Sequence, residues 1–248
     1  MWTSEFISRA ATWLEEQRIL ADAEGYVVGI SGGIDSAVAA RLAVMGVGRQ
    51  NVHAVYLPVG EKNVLPQKVA TWLGTELEVI PLDQPYKVIL DELGCRADKQ
   101  VALGNLQARL RMASLYFIAN ELNMLVLGTG NHTELHLGYF TKYGDGGVDV
   151  LPLGSCLKGH VHDLAVDLGV PEEVVRAEPS AGLWKGQTDE QEIGVKYFGQ
   201  NGLDAAVRGT WSYPYGPSVD TLTTVKKMHM RSEHKRHMPP IFEFDWEG

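Results

Sequence analysis

The sequence predicts an α/β fold, a mostly parallel sheet with helices on both faces, and three observations predict it. Short β-favouring apolar runs alternate with helical stretches through the first half of the chain. The connecting lengths suit crossovers between parallel neighbours rather than hairpins. Glycine-rich turns follow two of the strands, at the carboxyl ends where ligands of such sheets bind.

Taken in order, Trp2, Phe6, Ile7, Ala10, Trp13 and Leu14 recur at three-and-four spacing among charged residues, which predicts an amphipathic helix packed on a core or a partner. The run Tyr26 to Ile30 predicts a strand, followed by a glycine turn and a helix over Ser36 to Met45. The pattern repeats as Val52 to Leu57 with Val64 to Leu73, and as Leu77 to Ile80 with a helix from Tyr86. A long helix over Val101 to Asn120 leads into a fourth strand, Met124 to Leu127, and the turn Gly128 to Asn131. Short helices are expected over Leu157 to Leu168 and Pro171 to Arg176, the latter with proline at its start. The aperiodic span Glu178 to Asp189 predicts a surface loop of the kind that serves as a lid. Helices over Asp189 to Phe198, Leu203 to Val207 and Ser218 to Met230 complete the expectation.

The 248 residues, 45% hydrophobic, suffice for one domain over 1–248 with a substantial core. With 31 acidic against 22 basic side chains the formal charge is -9, which disfavours sequence-independent nucleic-acid binding. A nucleotide substrate stays open, because local lysines, backbone N–H groups and a divalent ion outweigh the global field inside a pocket. Cys95 and Cys156 are the only cysteines, so no disulfide framework or Cys-rich zinc signature exists. The acidic Glu5, Glu15, Glu16, Asp22 and Glu24 do not suit a presequence, and no apolar run is long enough to span a bilayer. A reducing, cytoplasmic setting without membrane attachment is expected.

The strongest local feature is the segment Gly29-Ile30-Ser31-Gly32-Gly33-Ile34-Asp35-Ser36. A glycine pair after a strand lets the backbone approach an anion, while Ser31, Ser36 and the amides of the next helix donate to phosphate oxygens. Asp35 would oppose bare phosphate, so its place there points to a bridging Mg²⁺. The G-x-G-x-x-G and Walker spacings are both absent. Glu134, on the short helix after the fourth strand, could complete the metal site across the strand ends. His132 and His136 do not form H-E-x-x-H, and His132-Thr133-Glu134 lacks the following P-C-x-x-C of a zinc deaminase. His229, His234 and His237 lie among lysines and arginines, as in a solvated basic helix end or a ligand-reading patch.

The SGGIDS segment resembles the SGG-x-DS loop of the PP-loop ATP pyrophosphatases, which leaves NAD, GMP and asparagine synthetases and tRNA-modifying enzymes open. Four further stretches, Leu127 to Gly154, Pro179 to Trp184, Gly186 to Glu190 and Ser232 to Arg236, resemble NAD synthetases, in the same order along the chain. The resemblance implies a Rossmann-like, adenine nucleotide alpha hydrolase-like domain. It also implies a homodimeric ligase that adenylylates the nicotinate carboxylate of deamido-NAD with ATP and then amidates it. With only about 25 residues before the first strand, no glutaminase domain is expected, and free ammonia would supply the nitrogen. It further implies that Gly29 to Ser36, Thr129, Lys158 and Ser180 meet ATP, and that Asp35 and Glu134 hold Mg²⁺. Arg109, Lys142, Asp149, His234 and Lys235 would surround deamido-NAD. Lys158 and Asp145 are expected to serve the chemistry, Asp145 by binding ammonium and helping remove its proton. Two departures are a short VGEKN segment after Leu57-Pro58, where many relatives carry a longer polar loop, and serine rather than threonine at Ser180.

Overall fold

The computed structural model describes residues 2–94, 99–180, 182–184, 186–209 and 216–242. Cys95 and Lys185 lie outside the described residues. In chain order the elements are α1 (Trp2–Leu20), β1 (Gly25–Gly29), α2 (Ile34–Val47), β2 (Val52–Tyr56), α3 (Leu65–Leu73) and β3 (Leu77–Val79). They continue with α4 (Asp83–Glu92), α5 (Gln100–Leu122), β4 (Met124–Leu127), α6 (His132–Leu137) and α7 (Lys158–Asp167). The last are α8 (Glu172–Val175), α9 (Asp189–Ile193), α10 (Leu203–Arg208), α11 (Val219–Arg231) and α12 (Glu233–Arg236). A 3₁₀ turn, Arg49–Asn51, enters β2.

The four strands pair in the order β3-β2-β1-β4, all parallel, with Val28 opposite both Ala54 and Leu127. The chain builds outward from β1 to β3 and then crosses back to the other side of β1, so the turn after β1 lies at the switch point of the sheet. Alternation along the strands sorts the core. Tyr26, Val28, Val52 and Ala54 face a cluster that includes Leu14, Leu42, Val69, Val161 and Val174. Val27, Val55 and Val126 face Leu82, Ile118 and Ala119 on the opposite side. A third cluster of Leu137, Tyr197, Leu203 and Val225 joins α6, α10 and α11 outside the sheet. Each fully buried aliphatic there contributes about 1.5–3 kcal/mol relative to exposure.

Two sequence expectations need correction. The stripe on α1 is narrower than its spacing implies: Ala10, Ala11 and Leu14 are buried, but Trp2 and Trp13 keep 46% and 37% of their surface. Gly46 explains this, since a Cβ there would stand 2.5 Å from the Ala11 carbonyl; the small residues carry the α1–α2 crossing and push the tryptophans to its margin. The helix expected over Asp189 to Phe198 stops at Ile193, where Gly194 adopts φ 78° and its N–H bonds the Glu190 carbonyl.

Candidate active site

The turn between β1 and α2 is shaped by backbone geometry. Gly32 has φ +86°, and a Cβ on it would lie 2.7 Å from Leu65 and 2.9 Å from Pro66 at the start of α3, so only glycine fits. The Gly33 N–H donates to Ser31 Oγ (3.1 Å), Ser36 Oγ donates to the Gly33 carbonyl (2.9 Å), and the two hydroxyls are 3.2 Å apart. No side chain caps α2, so the positive end of a 14-residue helix faces the carboxyl edge of the sheet.

Glu134 reaches the same place because Asn131 and Glu134 form a reciprocal capping box. The Glu134 N–H donates to Asn131 Oδ1 (3.0 Å), and the Asn131 N–H donates to Glu134 Oε2 (3.2 Å). The Asn131 amide also donates to Asp35 Oδ1 (2.9 Å), so one fully buried asparagine aligns both carboxylates. Lys158, the first residue of α7 and only 5% exposed, places its Nζ 2.5 Å from Asp35 Oδ2 and 3.5 Å from Glu134 Oε1. The Tyr197 ring lies under the ammonium at 5.4 Å, and the Tyr197 hydroxyl donates to Asp189 Oδ2 (3.2 Å).

The electrostatics are those of a crowded site. Burial and the neighbouring Asp35 push the Glu134 carboxyl well above the usual carboxylate range, against the pull of Lys158. Burial works against the Lys158 ammonium, but Asp35 and Glu134 outweigh it and hold that group above its ordinary value. Burying such charges costs several kcal/mol per ion and is poor value as a stability device. Among the described residues no group of three or more His, Cys, Asp or Glu side chains is set to hold a metal. Two carboxylates beside an uncapped helix start do fit Mg²⁺, which takes one or two protein oxygens and completes its shell with other oxygens and water. A divalent cation there would also offset the repulsion that raises Glu134.

A second cluster forms on the loop that leaves α6 and rejoins β4 through the Leu127–Val150 bridge. Arg109 Nε and Nη2 on α5 donate to the Lys142 carbonyl (both 3.3 Å), and Lys142 Nζ donates to the His234 carbonyl. Lys235 Nζ donates to the carbonyls of Gly138 (2.7 Å) and Phe140 (2.6 Å). Asp145 Oδ1 accepts from the Thr141 N–H (2.8 Å); loss of water around its carboxyl raises it, while that hydrogen bond and Lys235 pull it down.

Of the sequence-predicted residues, Asp35, Glu134, Lys158 and the Gly29 to Ser36 turn therefore meet, as do Arg109, Lys142, Asp145, His234 and Lys235. Thr129 lies two residues beyond β4 and is partly buried. Ser180 is exposed and caps its own turn, accepting from the Gly182 N–H (3.1 Å). Asp149 commits Oδ2 to the Val126 N–H (2.7 Å) and Oδ1 to the Tyr116 hydroxyl (2.9 Å), an anchoring arrangement at β4. Asn131, Thr133, Tyr197 and Asp204 escaped the sequence reading. The N-x-x-E spacing of a capping box signals the first; nothing local signals the others.

The family described as NAD synthase matches residues 6–239. An NH(3)-dependent NAD(+) synthetase of Methanosarcina mazei is 39% identical over 252 residues, covering 95% of this chain and 96% of the relative. Among solved structures, NMN synthetase from Francisella tularensis superposes with a TM-score of 0.88 at 38% identity, covering 98% of this chain and 99% of that one. An NH3-dependent NAD synthetase from Campylobacter jejuni does so at 0.82 and 26%, covering 98% and 100%. With a glycine turn and paired carboxylates at the switch point of its sheet and a match spanning most of its length, this chain belongs to the NAD synthase family.

Proposed function

We propose that the chain is an ammonia-dependent ligase that converts deamido-NAD to NAD at the expense of ATP. The observation that carries this is the meeting of the Gly29 to Ser36 turn with Asp35, Lys158 and Glu134 at the switch point of the sheet. The α2 amides, Ser31, Ser36 and Lys158 bind and orient the triphosphate of ATP, with Thr129 and Ser180 as further contacts. Asp35 and Glu134 would hold Mg²⁺, which supplies charge neutralisation among the phosphate oxygens. Arg109, Lys142, His234 and Lys235 serve the dinucleotide, with Asp149 anchoring their loop at β4, in a cytoplasmic homodimer formed from one domain over 1–248.

The nicotinate carboxylate attacks the α-phosphorus and pyrophosphate leaves. Ammonia then attacks the acyl carbon and AMP leaves, with no nucleophilic side chain required. Lys158 offsets charge that develops on the phosphate oxygens, and its buried, two-carboxylate setting fixes it before substrate arrives. Asp145 binds ammonium and accepts its surplus proton, a task that its upward-shifted carboxyl suits.

Likeness to the Francisella tularensis NMN synthetase favours a second reading, in which the acceptor is the corresponding mononucleotide. The test is product formation from ATP, Mg²⁺ and ammonium with either deamido-NAD or nicotinate mononucleotide. NAD, AMP and pyrophosphate rising together support the first reading; a higher kcat/KM on the mononucleotide replaces it with the second. Asp35→Asn and Glu134→Gln should each lower turnover by roughly a hundredfold or more while leaving the far-ultraviolet circular dichroism unchanged. Full activity in both would remove the metal assignment.

A further inference from the structure

Asp204 lies on α10, outside both clusters described above, and its two carboxylate oxygens are spent on different helices. Oδ1 accepts from the Thr133 hydroxyl at 2.6 Å, one residue before Glu134. Oδ2 accepts from the Gly159 N–H at 2.7 Å, one residue after Lys158. The Thr133 hydroxyl in turn accepts from the Lys158 N–H at 3.2 Å, which closes a ring through α6, α7 and α10. Thr133 and Lys158 are buried, and a Cβ at position 159 would stand 3.2 Å from Asp204 Oδ2, so glycine gives the carboxylate room.

This ring matters because α6 has only six residues and cannot hold itself in place. Its direction is set by contacts at its ends. The first amides of α7 lack a capping side chain from their own segment, and Asp204 supplies a charge-assisted acceptor there, where the helix dipole favours an anion. Glu134 and Lys158 thus project from two helix starts whose separation is fixed by a carboxylate 71 and 45 residues further along the chain than the groups that it binds.

We propose that Asp204 is a positioning residue for the metal and phosphate site, holding Glu134 and Lys158 in register without touching substrate. This rests on the roles proposed for Glu134 and Lys158. The Asp204 N–H also donates to the Tyr197 carbonyl (3.2 Å), which ties α10 to the residue whose ring lies under the Lys158 ammonium.

The test uses the full chain with Asp204→Ala, Thr133→Val, the pair together, and Thr133→Ser. Asp204→Ala should lower kcat by about 10- to 100-fold, since a misplacement of about 1 Å has effects of that order. It should weaken ATP binding in Mg²⁺, measured by calorimetry, about tenfold, and leave the KM for ammonium within about twofold. Thr133→Val should do the same, the double variant should be little worse than either single one, and Thr133→Ser should restore activity. Unchanged kcat and ATP affinity with a lowered melting temperature would make Asp204 a stabilising clip and overturn the proposal. If Asp204→Ala does not fold, the Thr133 pair decides: wild-type behaviour of Thr133→Val overturns it. Should the wild type make no NAD yet bind ATP in Mg²⁺, and the variants lose that binding, the acceptor assignment falls and the role of Asp204 stands.

Discussion

His136 illustrates how a single side chain ties the site to solvent conditions. Its ring stacks on His229 at 4.2 Å, with His132 6.0 Å away, and His229 Nδ1 donates to the His136 carbonyl (2.8 Å). Arg236 Nη1 approaches the same carbonyl, and Glu233 lies 3.8 Å from His229 Nε2. Burial, and then the charges of His229, His132 and Arg236, hold His136 below its ordinary 6.5. The unfolded chain therefore binds this proton first. The stabilisation is complete above about pH 6.5 and is lost as pH falls through the depressed folded value. His136→Phe keeps the stack without the proton, so its melting temperature should fall less than that of the wild type between pH 7.5 and 5.5. Equal falls would sink this account. Residues like this, and Tyr197 under Lys158, were beyond the sequence because their partners lie far along the chain. Asp35 and Glu134 were legible because each sits in a short motif beside a strand end.

At the scale of elements, α6 depends on its carboxyl end as much as on its capping box. Ser232 Oγ donates to the Leu137 carbonyl (3.1 Å), Lys235 to Gly138 and Phe140, and Arg236 to Leu135 and His136, so the basic helix end caps a distant helix. In the sequence, His229, His234 and His237 among lysines and arginines suggested a solvated helix end or a ligand-reading patch, and the capping role is visible only once α11 packs beside α6. Gly138 permits that packing: it has φ +65°, and a Cβ would fall 2.0 Å from that of Ser232. Gly138→Ala should cost at least about 1–3 kcal/mol from backbone strain alone. At about 2–4 °C per kcal/mol, the melting temperature should drop by several degrees. A thermal scan showing no loss would contradict the contact. The strands and long helices were readable from periodicity, whereas α9 was overextended because Gly194 outweighs the polar run around it.

Across the whole molecule, the parallel sheet and its two covered faces followed from alternation of strands and helices; the third cluster around Leu137, Tyr197 and Leu203 did not, since its members belong to short helices with weak patterns. The Glu178 to Asp189 span lies over α5, where Gln107 Nε2 donates to the Leu183 carbonyl (3.1 Å), and it closes on itself through the Asp189 N–H to the Pro179 carbonyl (3.0 Å). We predict that ATP with deamido-NAD slows proteolysis within residues 178–188 at least several-fold; equal cleavage with and without substrates would argue against a lid. The long-range cap on α6 also has a consequence for synthesis. Residues 229–236 emerge from the ribosome about 95 residues after the helix that they secure. At roughly 5–20 residues per second, that is a delay of some 5–20 s. A nascent chain thus has all four strands of its sheet available well before the residues that secure α6, so the helix carrying Glu134 is the late-fixed part of the molecule.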